Sequence, residues 1–526
     1  MTESTQAVKP KGRESWSGRP AFIVAAISSA IGLGNIWRFP GVAYENGGGA
    51  FLLPYLAALL TAGLPILFLD FAVGHRFRAA PPLTFRRISR KLEPLGWWQT
   101  IICFVISTYY AVILAWALCY IGFSVKRSWG DDAATFFAVD FLRATDPGVT
   151  PEPVPLIMWS LIAIWIGIII VAALGLRKGL QLANRITLPT LVILFLAIVI
   201  YALTLPGAVD GLNTFFTPSW SALADPKVWI AAYGHIFFSF SIAFGIMLSY
   251  SSYLKRRSDL TGSGLVVAFA NTSFELLAGI GVFAALGFLA YNQSVAVADL
   301  EGISGVGLAF ITFPTLLSQM PGGQIVGVLF FLSLLFAGFT SLLSLMQVVI
   351  GSVADKTGWT GRRSAIFSGA VTGIASLLLY SSTAGLSILD VIDAFINNIG
   401  VVSSAIVMVI ALGWGVRLLP ELRDHINAVS SLRVGKLWMV MIRFITPAIL
   451  IAILITGAWS YVVEGYGGYP TWFLLIAGWL MLVAVGALSL LLSFSGYGRA
   501  YADDYDPTTS VDLNNPSYPQ TQKEQS

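Results

Sequence analysis

The hydrophobic positions of this chain fall into long runs rather than into the short alternating patterns of a soluble protein. Twelve runs reach about 18 residues or more, which is the length that a helix needs to cross a bilayer. Their approximate limits are 21–41, 50–74, 98–124, 155–174, 184–204, 228–253, 262–291, 323–353, 364–381, 388–415, 437–461 and 470–495. The pattern predicts an all-α integral membrane protein with twelve transmembrane helices.

Composition and charge support this prediction. Charged residues make up 11% of the chain, whereas soluble domains carry about 25%. Basic residues cluster in alternate loops, as at 76–91, 255–257 and 417–436, and the first twenty residues are also basic. The positive-inside rule therefore places both termini in the cytoplasm of a multi-pass cell-membrane protein. The first span has no signal-peptide features and is expected to be retained.

The first span contains residues that do not suit hydrocarbon. It reads SSAIGLGNIWRFP from Ser28 to Pro40, and Gly32 and Gly34 allow the backbone to unwind. A break in a spanning helix persists only beside protein or a watery cavity. The freed N–H and C=O groups, together with the helix-dipole ends, can bind an anion and a cation. We therefore predict half of a solute and ion site at mid-membrane.

A second interrupted span, GHIFFSFSIAFG at 234–245, follows five spans later. Two broken helices at corresponding positions of two five-helix units indicate an inverted-repeat transporter. The alternative is that glycine and serine only permit close helix packing. The predicted organisation comprises a cytoplasmic segment 1–20, repeats 21–204 and 228–415, helices 11 and 12 in 437–495, and a disordered tail 498–526.

Several polar groups fall inside or at the ends of the spans. Arg38 and Asp393 are expected to pair across a water-filled mouth, and Glu275, one turn beyond Asn271, is a functional candidate because intramembrane carboxylates are costly. Neutral oxygens on Asn35, Asn271, Thr340 and Ser341 suit a hard cation of modest charge. Interhelical hydrogen bonds are the alternative. The segment 304–320, with Pro314, is expected to form a re-entrant or interfacial hairpin.

Specific motifs connect these features. They are GLGNIWRFP at 32–40, ENGGGAF at 45–51, AGFTS at 337–341 and the pair Tyr109-Tyr110. From about residue 13 to 495 the chain resembles the neurotransmitter:sodium symporter family, and within it the bacterial LeuT-type amino-acid transporters. The resemblance implies a LeuT-type 5+5 inverted repeat with discontinuous helices 1 and 6. The outer loop 125–155 and the tail are expected to lie outside it.

The resemblance also implies binding residues. Sodium site one would use Ala30, Asn35, Ser239, Asn271 and the substrate's carboxylate, and site two would use Ser28, Ile31, Ala337, Thr340 and Ser341. Substrate would contact Ser29, Ala30, Gly32, Gly34, Ile106, Tyr110, Phe238, Ser239, Phe240, Ser241, Phe244, Ser341 and Leu345. The implied outer gate is Arg38, Asp393, Tyr110 and Phe238, and the implied inner gate is Arg13, Trp16, Ser252, Tyr253 and Asp355.

Two positions decide the subclass. Monoamine carriers of this family have an aspartate where this chain has Gly32, so a carboxylate-bearing substrate is expected. Glu275, with Tyr55, Ser273 and His235 around it, is expected to replace the chloride that animal members require. His235 stands where a glutamine is usual; it is either a structural histidine or a group that couples protons to transport.

The expected function is sodium-coupled, chloride-independent import of neutral hydrophobic L-amino acids by alternating access. Leucine, methionine, an aromatic residue or an alanine-like residue are the expected substrates. Two sodium ions are expected, with no organic cofactor, no nucleic-acid partner and no enzymatic activity, since no catalytic motif is present. A homodimer or a small membrane subunit is left open. The alternatives are a sensor or channel on the same fold, or a carrier of another small carboxylate solute.

Overall fold

The computed structural model describes residues 14–218, 220–300, 303 and 305–498. Arg13, which the sequence analysis placed in the inner gate, and the tail beyond 498 lie outside the described residues. Within them the architecture is helical, and the only β-contacts are isolated bridges between Gly48 and Pro218 and between Pro153 and Ser382.

The longer helices are numbered here in chain order. They are α1 Arg19–Ala30, α2 Gly34–Glu45, α3 Gly49–Phe77, α4 Pro81–Ile88, α5 Arg90–Lys126, α6 Pro155–Ala173, α7 Leu176–Ala202, α8 Ala208–Phe216, α9 Pro226–Ser239, α10 Ile246–Ser251, α11 Leu260–Gln293, α12 Gly305–Gln319, α13 Gly323–Thr357, α14 Gly361–Tyr380, α15 Gly385–Gly415, α16 Leu419–Val429, α17 Lys436–Val463 and α18 Thr471–Phe494.

Ten helices of the described chain are long and apolar enough to cross a membrane, and α1 with α2 would make an eleventh. These two helices meet at a bend of 52°. The predicted span 228–253 instead consists of α9, with 14 residues, and α10, with 6. Each is too short to span by itself because the chain is not helical between Ser239 and Ile246.

The two interruptions have different local causes. After Ala30, Ile31 adopts an extended conformation, with φ −74° and ψ 94°, and the helix resumes at Gly34. After Ser239, three residues adopt left-handed conformations, namely Ser241 (φ 51°), Ala243 (φ 65°) and Gly245 (φ 93°). A left-handed non-glycine residue costs roughly 1–2 kcal/mol, so tertiary contacts must hold the second interruption.

The most buried of the long helices are α3, α5, α11 and α15, whereas α6, α7, α17 and α18 lie at the periphery. The peripheral helices expose large apolar side chains, including Trp159 (64% exposed), Ile193 (67%) and Ile455 (62%). An apolar surface of this extent indicates contact with lipid.

The expected hairpin at 304–320 is wrong, because α12 is a single helix over Gly305–Gln319. Pro314 does not break it, since the turn at 308–312 is π-helical and the proline falls at the start of the next α-helical segment. Phe310 is fully buried, and its ring centroid lies 5.9 Å from that of Trp116 and 5.5 Å from that of Phe137. Aromatic packing therefore anchors α12.

A buried histidine pair joins α3 to α16 at the predicted cytoplasmic end. His75 Nδ1 lies 2.9 Å from His425 Nε2, and His75 Nε2 lies 2.9 Å from the Lys255 carbonyl oxygen. Because a carbonyl only accepts, His75 Nε2 carries a proton and its Nδ1 accepts from His425. Burial, and then the neighbouring His75, Arg76 and Arg78, lower the pKa of His425 to about 3.

This shift predicts a pH-dependent stability. An unfolded histidine has a pKa of about 6.5, so below that pH the unfolded chain gains a proton that folded His425 does not bind. Between pH 7 and pH 5 the parent should lose about 2 kcal/mol of stability through His425. We expect the thermal-unfolding midpoint of His425→Gln to fall less over this interval than that of the parent. An identical pH dependence in the two proteins would contradict this.

Candidate functional site

A central cavity of about 40 Å³ lies where the two interruptions face α5 and α13. It is lined by Ser29, Ala30, Gly32, Gly34, Asn35, Ile106, Tyr110, Phe238, Ser239, Ser241, Phe244, Ile246, Ser341 and Leu345. Phe240, expected among the substrate contacts, is fully buried but does not line it. Ile246 lines the cavity and was not predicted, because the end of the second interruption is not visible in the sequence.

Backbone N–H groups converge at one end of the cavity. The Gly32 N–H donates to Asn35 Oδ1 over 2.8 Å, and the Leu33 N–H donates to the Tyr110 hydroxyl over 3.0 Å. A Cβ atom on Gly32 would lie 2.8 Å from Ser341 Oγ, and one on Gly34 would lie 2.6 Å from a Phe238 ring carbon. A side chain at either position would therefore displace these neighbouring groups. N–H groups at a helix interruption form an anion-binding environment.

A chain of buried polar side chains leads away from this end. Asn35 Nδ2 donates to Asn271 Oδ1 over 2.8 Å, and Asn271 Nδ2 donates to Ser239 Oγ over 2.7 Å. Ser239 Oγ then donates to Glu275 Oε1 over 2.6 Å. The chain joins α2, α9 and α11, and it supplies amide and hydroxyl oxygens beside the cavity.

Glu275 is fully buried and hydrogen-bonded on both carboxylate oxygens. His235 Nε2 lies 2.7 Å from Oε1, and the Tyr55 hydroxyl bonds Oε2. His235 Nδ1 is buried and has no hydrogen-bond partner among the described residues. The expected neighbour Ser273 is exposed instead, and Thr272, whose hydroxyl oxygen lies 3.1 Å from that of Tyr55, occupies that position. The one-residue error moves the hydroxyl to another face of α11.

A second group of oxygens lies between α1 and α13. Thr340 Oγ1 is 3.1 Å from the Ser28 carbonyl oxygen, 3.0 Å from that of Ala337 and 3.2 Å from that of Phe336. Ser341 Oγ lies 3.4 Å from the Ser29 carbonyl oxygen. The Thr340 hydroxyl has one proton for three acceptors, so several lone pairs face the same small volume. An oxygen cluster of this kind fits a hard monovalent cation.

Side chains from three other helices hold the interruption between α9 and α10. Asp70 Oδ2 accepts from the Ala243 N–H over 2.9 Å. The Ala243 carbonyl accepts from Gln99 Nε2 over 3.0 Å and from Ser404 Oγ over 2.8 Å. Asp70 was not among the predicted site residues, although a carboxylate within a predicted span was a detectable signal.

A vestibule of about 720 Å³ lies next to the cavity, on the predicted outer side. Gly34, Tyr110 and Phe238 line both spaces, so the two aromatic side chains separate them. Arg38 and Asp393 both line the vestibule, but the expected ion pair is absent from this structure. The Arg38 guanidinium instead lies 4.4 Å from the centroid of the Phe238 ring, and Asp393 accepts from Asn397 Nδ2 over 2.8 Å.

The opposite end is closely packed. Trp16 is 1% exposed. Its indole Nε1–H donates to the Tyr250 carbonyl over 2.9 Å, and its backbone N–H donates to the Tyr253 carbonyl over 3.2 Å. Asp355 Oδ2 accepts from the Ala80 N–H over 2.7 Å. Ser252 is buried, but its hydroxyl donates to the nearby Ser249 carbonyl. The vestibule is therefore open while this end is closed.

Comparisons with known proteins identify this arrangement. The model of the sodium:neurotransmitter symporter family matches residues 13–141 and 129–495. The uncharacterized sodium-dependent transporter MJ1319 of Methanocaldococcus jannaschii is 37% identical over 91% of this chain and 97% of its own. The chain belongs to the sodium:neurotransmitter symporter family. It is a sodium-dependent transporter, and not an enzyme.

More distant members and a solved structure agree. The sodium- and chloride-dependent glycine transporter 2 of Xenopus laevis is 27% identical over 92% of this chain and 69% of its own. The crystal structure of MhsT in complex with L-phenylalanine is 30% identical, with a TM-score of 0.72, over 85% of this symporter and all of that chain. The family match also runs through the outer loop 125–155, which the sequence analysis had wrongly placed outside the resemblance.

Proposed function

We propose that this symporter imports neutral hydrophobic L-amino acids together with sodium, without chloride, by alternating access. The observation that carries the proposal is the central cavity, which combines the open backbone at Gly32 and Gly34, neutral oxygens at Asn35 and Ser241, and an apolar wall. Beside it, the N–H groups of Gly32 and Leu33 donate to Asn35 and Tyr110. The complex of the 30%-identical MhsT with L-phenylalanine supports the same substrate class.

The chemistry of the wall defines the proposed substrate. The carboxylate would face Gly32 and Tyr110, and the side chain would contact Ile106, Phe244 and Leu345. Among the lining residues only Tyr110 is ionisable, so a charged side chain would lack a partner at low dielectric. The cavity has a volume of only about 40 Å³, which is smaller than the pockets that hold small-molecule ligands. Binding is therefore expected to turn the Phe238 and Phe244 rings outward.

Two sodium ions are proposed as co-substrates. The first would bind Asn35, Asn271, Ser239, the Ala30 carbonyl and the substrate's carboxylate. The second would bind the Thr340 and Ser341 hydroxyls with the carbonyls of Ser28, Ile31 and Ala337. The contact between the carboxylate and the first ion would couple the two solutes, because either one bound alone leaves an unpaired charge at low dielectric.

Removal of one hydroxyl tests the second site. Thr340→Val preserves shape but removes an oxygen, so we expect the sodium concentration for half-maximal uptake to rise about tenfold or more. The matched control is Thr372→Val, at a buried threonine whose hydroxyl donates to its own helix over 2.7 Å. Equal sodium dependence in Thr340→Val and the control would remove Thr340 from the proposal.

The transport cycle would use twelve spans in a 5+5 inverted repeat, with α1–α2 and α9–α10 as the discontinuous helices 1 and 6. The open vestibule and closed opposite end fit an outward-facing state, with both termini cytoplasmic. Inward opening would move these helices with α3 and α11 against the remaining scaffold. A homodimer or small membrane subunit is compatible with this scheme.

A thermal-shift panel tests the substrate class. Twenty amino acids are added to purified protein with sodium or with choline. We expect stabilisation by phenylalanine, leucine or methionine, only with sodium, and none by lysine or glutamate. Stabilisation by charged amino acids alone, or equal shifts in choline, would contradict the proposal.

A further inference from the structure

An open groove lies at the predicted cytoplasmic end, where α13 passes into α14. It has a volume of about 470 Å³ and is lined by Trp359, Thr360, Arg362, Arg363, Ile366 and Phe367. The Arg363 guanidinium lies 4.1 Å from the Trp359 ring centroid, and the rings of Trp359 and Phe367 are 5.4 Å apart. We call it the Trp359 groove. It combines two cations with exposed aromatic and aliphatic surface.

The two arginines have no carboxylate partner within the described part of the chain. Both are exposed, and the nearby acids are engaged elsewhere. Glu93 binds Arg86 over 2.7 Å and Lys356 over 3.0 Å, and Asp355 accepts from the Ala80 N–H. The Trp359 groove therefore carries a local positive charge that is not neutralised by the described residues.

The described chain ends beside this groove. The residues after α18 contact Lys356 at the end of α13. Lys356 Nζ donates to the Ser495 carbonyl over 2.7 Å and lies 4.0 Å from the Tyr497 ring centroid. The Gly498 N–H then donates to the Lys356 carbonyl over 2.8 Å. A Cβ atom on Gly498 would lie 2.6 Å from the Thr357 carbonyl oxygen. Gly498, the last described residue, therefore packs closely against Thr357, which precedes Trp359 by two residues.

The residues that follow complement the groove in charge and chemistry. They read RAYADDYD from 499 to 506, with Tyr505 between the acids Asp504 and Asp506. Five extended residues span about 17 Å, so the tether from Gly498 is long enough for Asp503 to reach the start of α14. The sequence supplies three carboxylates and an aromatic ring within reach of two guanidinium groups, a tryptophan and a phenylalanine.

We propose that the acidic segment 503–506 of this chain docks in the Trp359 groove. Its carboxylates pair with Arg362 and Arg363, and Tyr505 packs against Trp359 and Phe367. Exposed ion pairs are individually weak, but the short tether from Gly498 gives the segment an effective concentration of order mM. Docking ties the carboxyl-terminal tail to the end of α13, beside Asp355, where the inward side of the symporter is closed.

Disulfide cross-linking of the full-length protein tests the proposal. Ile366→Cys with Tyr505→Cys is reconstituted in phosphatidylcholine vesicles and oxidised, and the linked peptide is quantified by mass spectrometry. The control pair combines Tyr505→Cys with Asp424→Cys, at an exposed position on α16. We expect the 366–505 link to exceed the control by about tenfold or more. A link at the control level would overturn the proposal.

Charge variants and lipid distinguish the occupants. The amount of the 366–505 link should fall to the control level in either of two sets of variants. One set changes Asp503, Asp504 and Asp506 to asparagine, and the other changes Arg362 and Arg363 to glutamine. Reversing the charges on both sides together should restore it. A link unaffected by these changes would overturn the proposal. So would a link abolished by one-third phosphatidylglycerol, because the groove would then bind an anionic lipid headgroup instead.

Discussion

Gly32→Asp is expected to reduce uptake of neutral amino acids by at least about a hundredfold, the equivalent of about 3 kcal/mol. A Cβ atom there meets Ser341 Oγ at 2.8 Å and the Tyr110 hydroxyl at 2.9 Å. The added carboxylate would also occupy the place proposed for the substrate's own carboxylate. Two like charges at low dielectric exclude each other, so the amino acid loses its binding position.

Uptake by proteoliposomes and thermal shift measure this effect. Gly32→Ala, which adds only the steric term, should lose less activity than Gly32→Asp. Gly457→Ala, whose Cβ atom meets nothing within 4 Å, is the control for expression and folding. Phenethylamine, which lacks the carboxylate, should stabilise Gly32→Asp better than it stabilises the parent. Parental uptake by Gly32→Asp would refute the proposed orientation of the substrate.

Glu275→Ser is expected to make transport depend on chloride. The fully buried carboxylate accepts from Ser239 and bonds Tyr55 and His235. Its removal leaves these buried hydrogen-bonding groups without their acceptor, which costs about 1–3 kcal/mol for each group. In gluconate we therefore expect uptake to fall about a hundredfold or more. Chloride should restore it by supplying the missing charge.

The matched control is Glu464→Ser, at an exposed glutamate whose carboxylate bonds Ser460 over 3.1 Å. Initial rates are measured in chloride and in gluconate for the parent, Glu275→Ser and the control. Equal rates of Glu275→Ser in the two salts, whether high or low, would show that Glu275 does not replace a halide.

The ten long apolar helices and the first interruption could be predicted because their causes are local. Hydrocarbon length sets the hydrophobic runs, and Gly32 and Gly34 mark the place where the backbone departs from a helix. The second interruption is different. Asp70, Gln99 and Ser404 come from three separate helices to hold Ala243, and no local pattern records such contacts. The hairpin predicted at 304–320 was wrong because a π-helical turn before Pro314 accommodates the proline ring within one helix.

The neutral oxygens around the site were visible as polar residues inside apolar spans, and the resemblance placed them in two groups. The sequence could not show which side chains face the cavity at the second interruption, where helical periodicity fails, so Phe240 was expected there and Ile246 was missed. The expected pairing of Arg38 with Asp393 was not found, because the Arg38 guanidinium lies against the Phe238 ring in this structure, where the vestibule is open.

Uptake of labelled L-phenylalanine into proteoliposomes tests the central claim most directly. The external buffer contains sodium or choline, and the internal buffer contains potassium. Sodium-coupled symport predicts a transient accumulation above the external concentration in sodium, and uptake in choline no greater than that of protein-free vesicles. Equal accumulation in choline would contradict sodium coupling, and the absence of uptake of any neutral amino acid in sodium would contradict the substrate class.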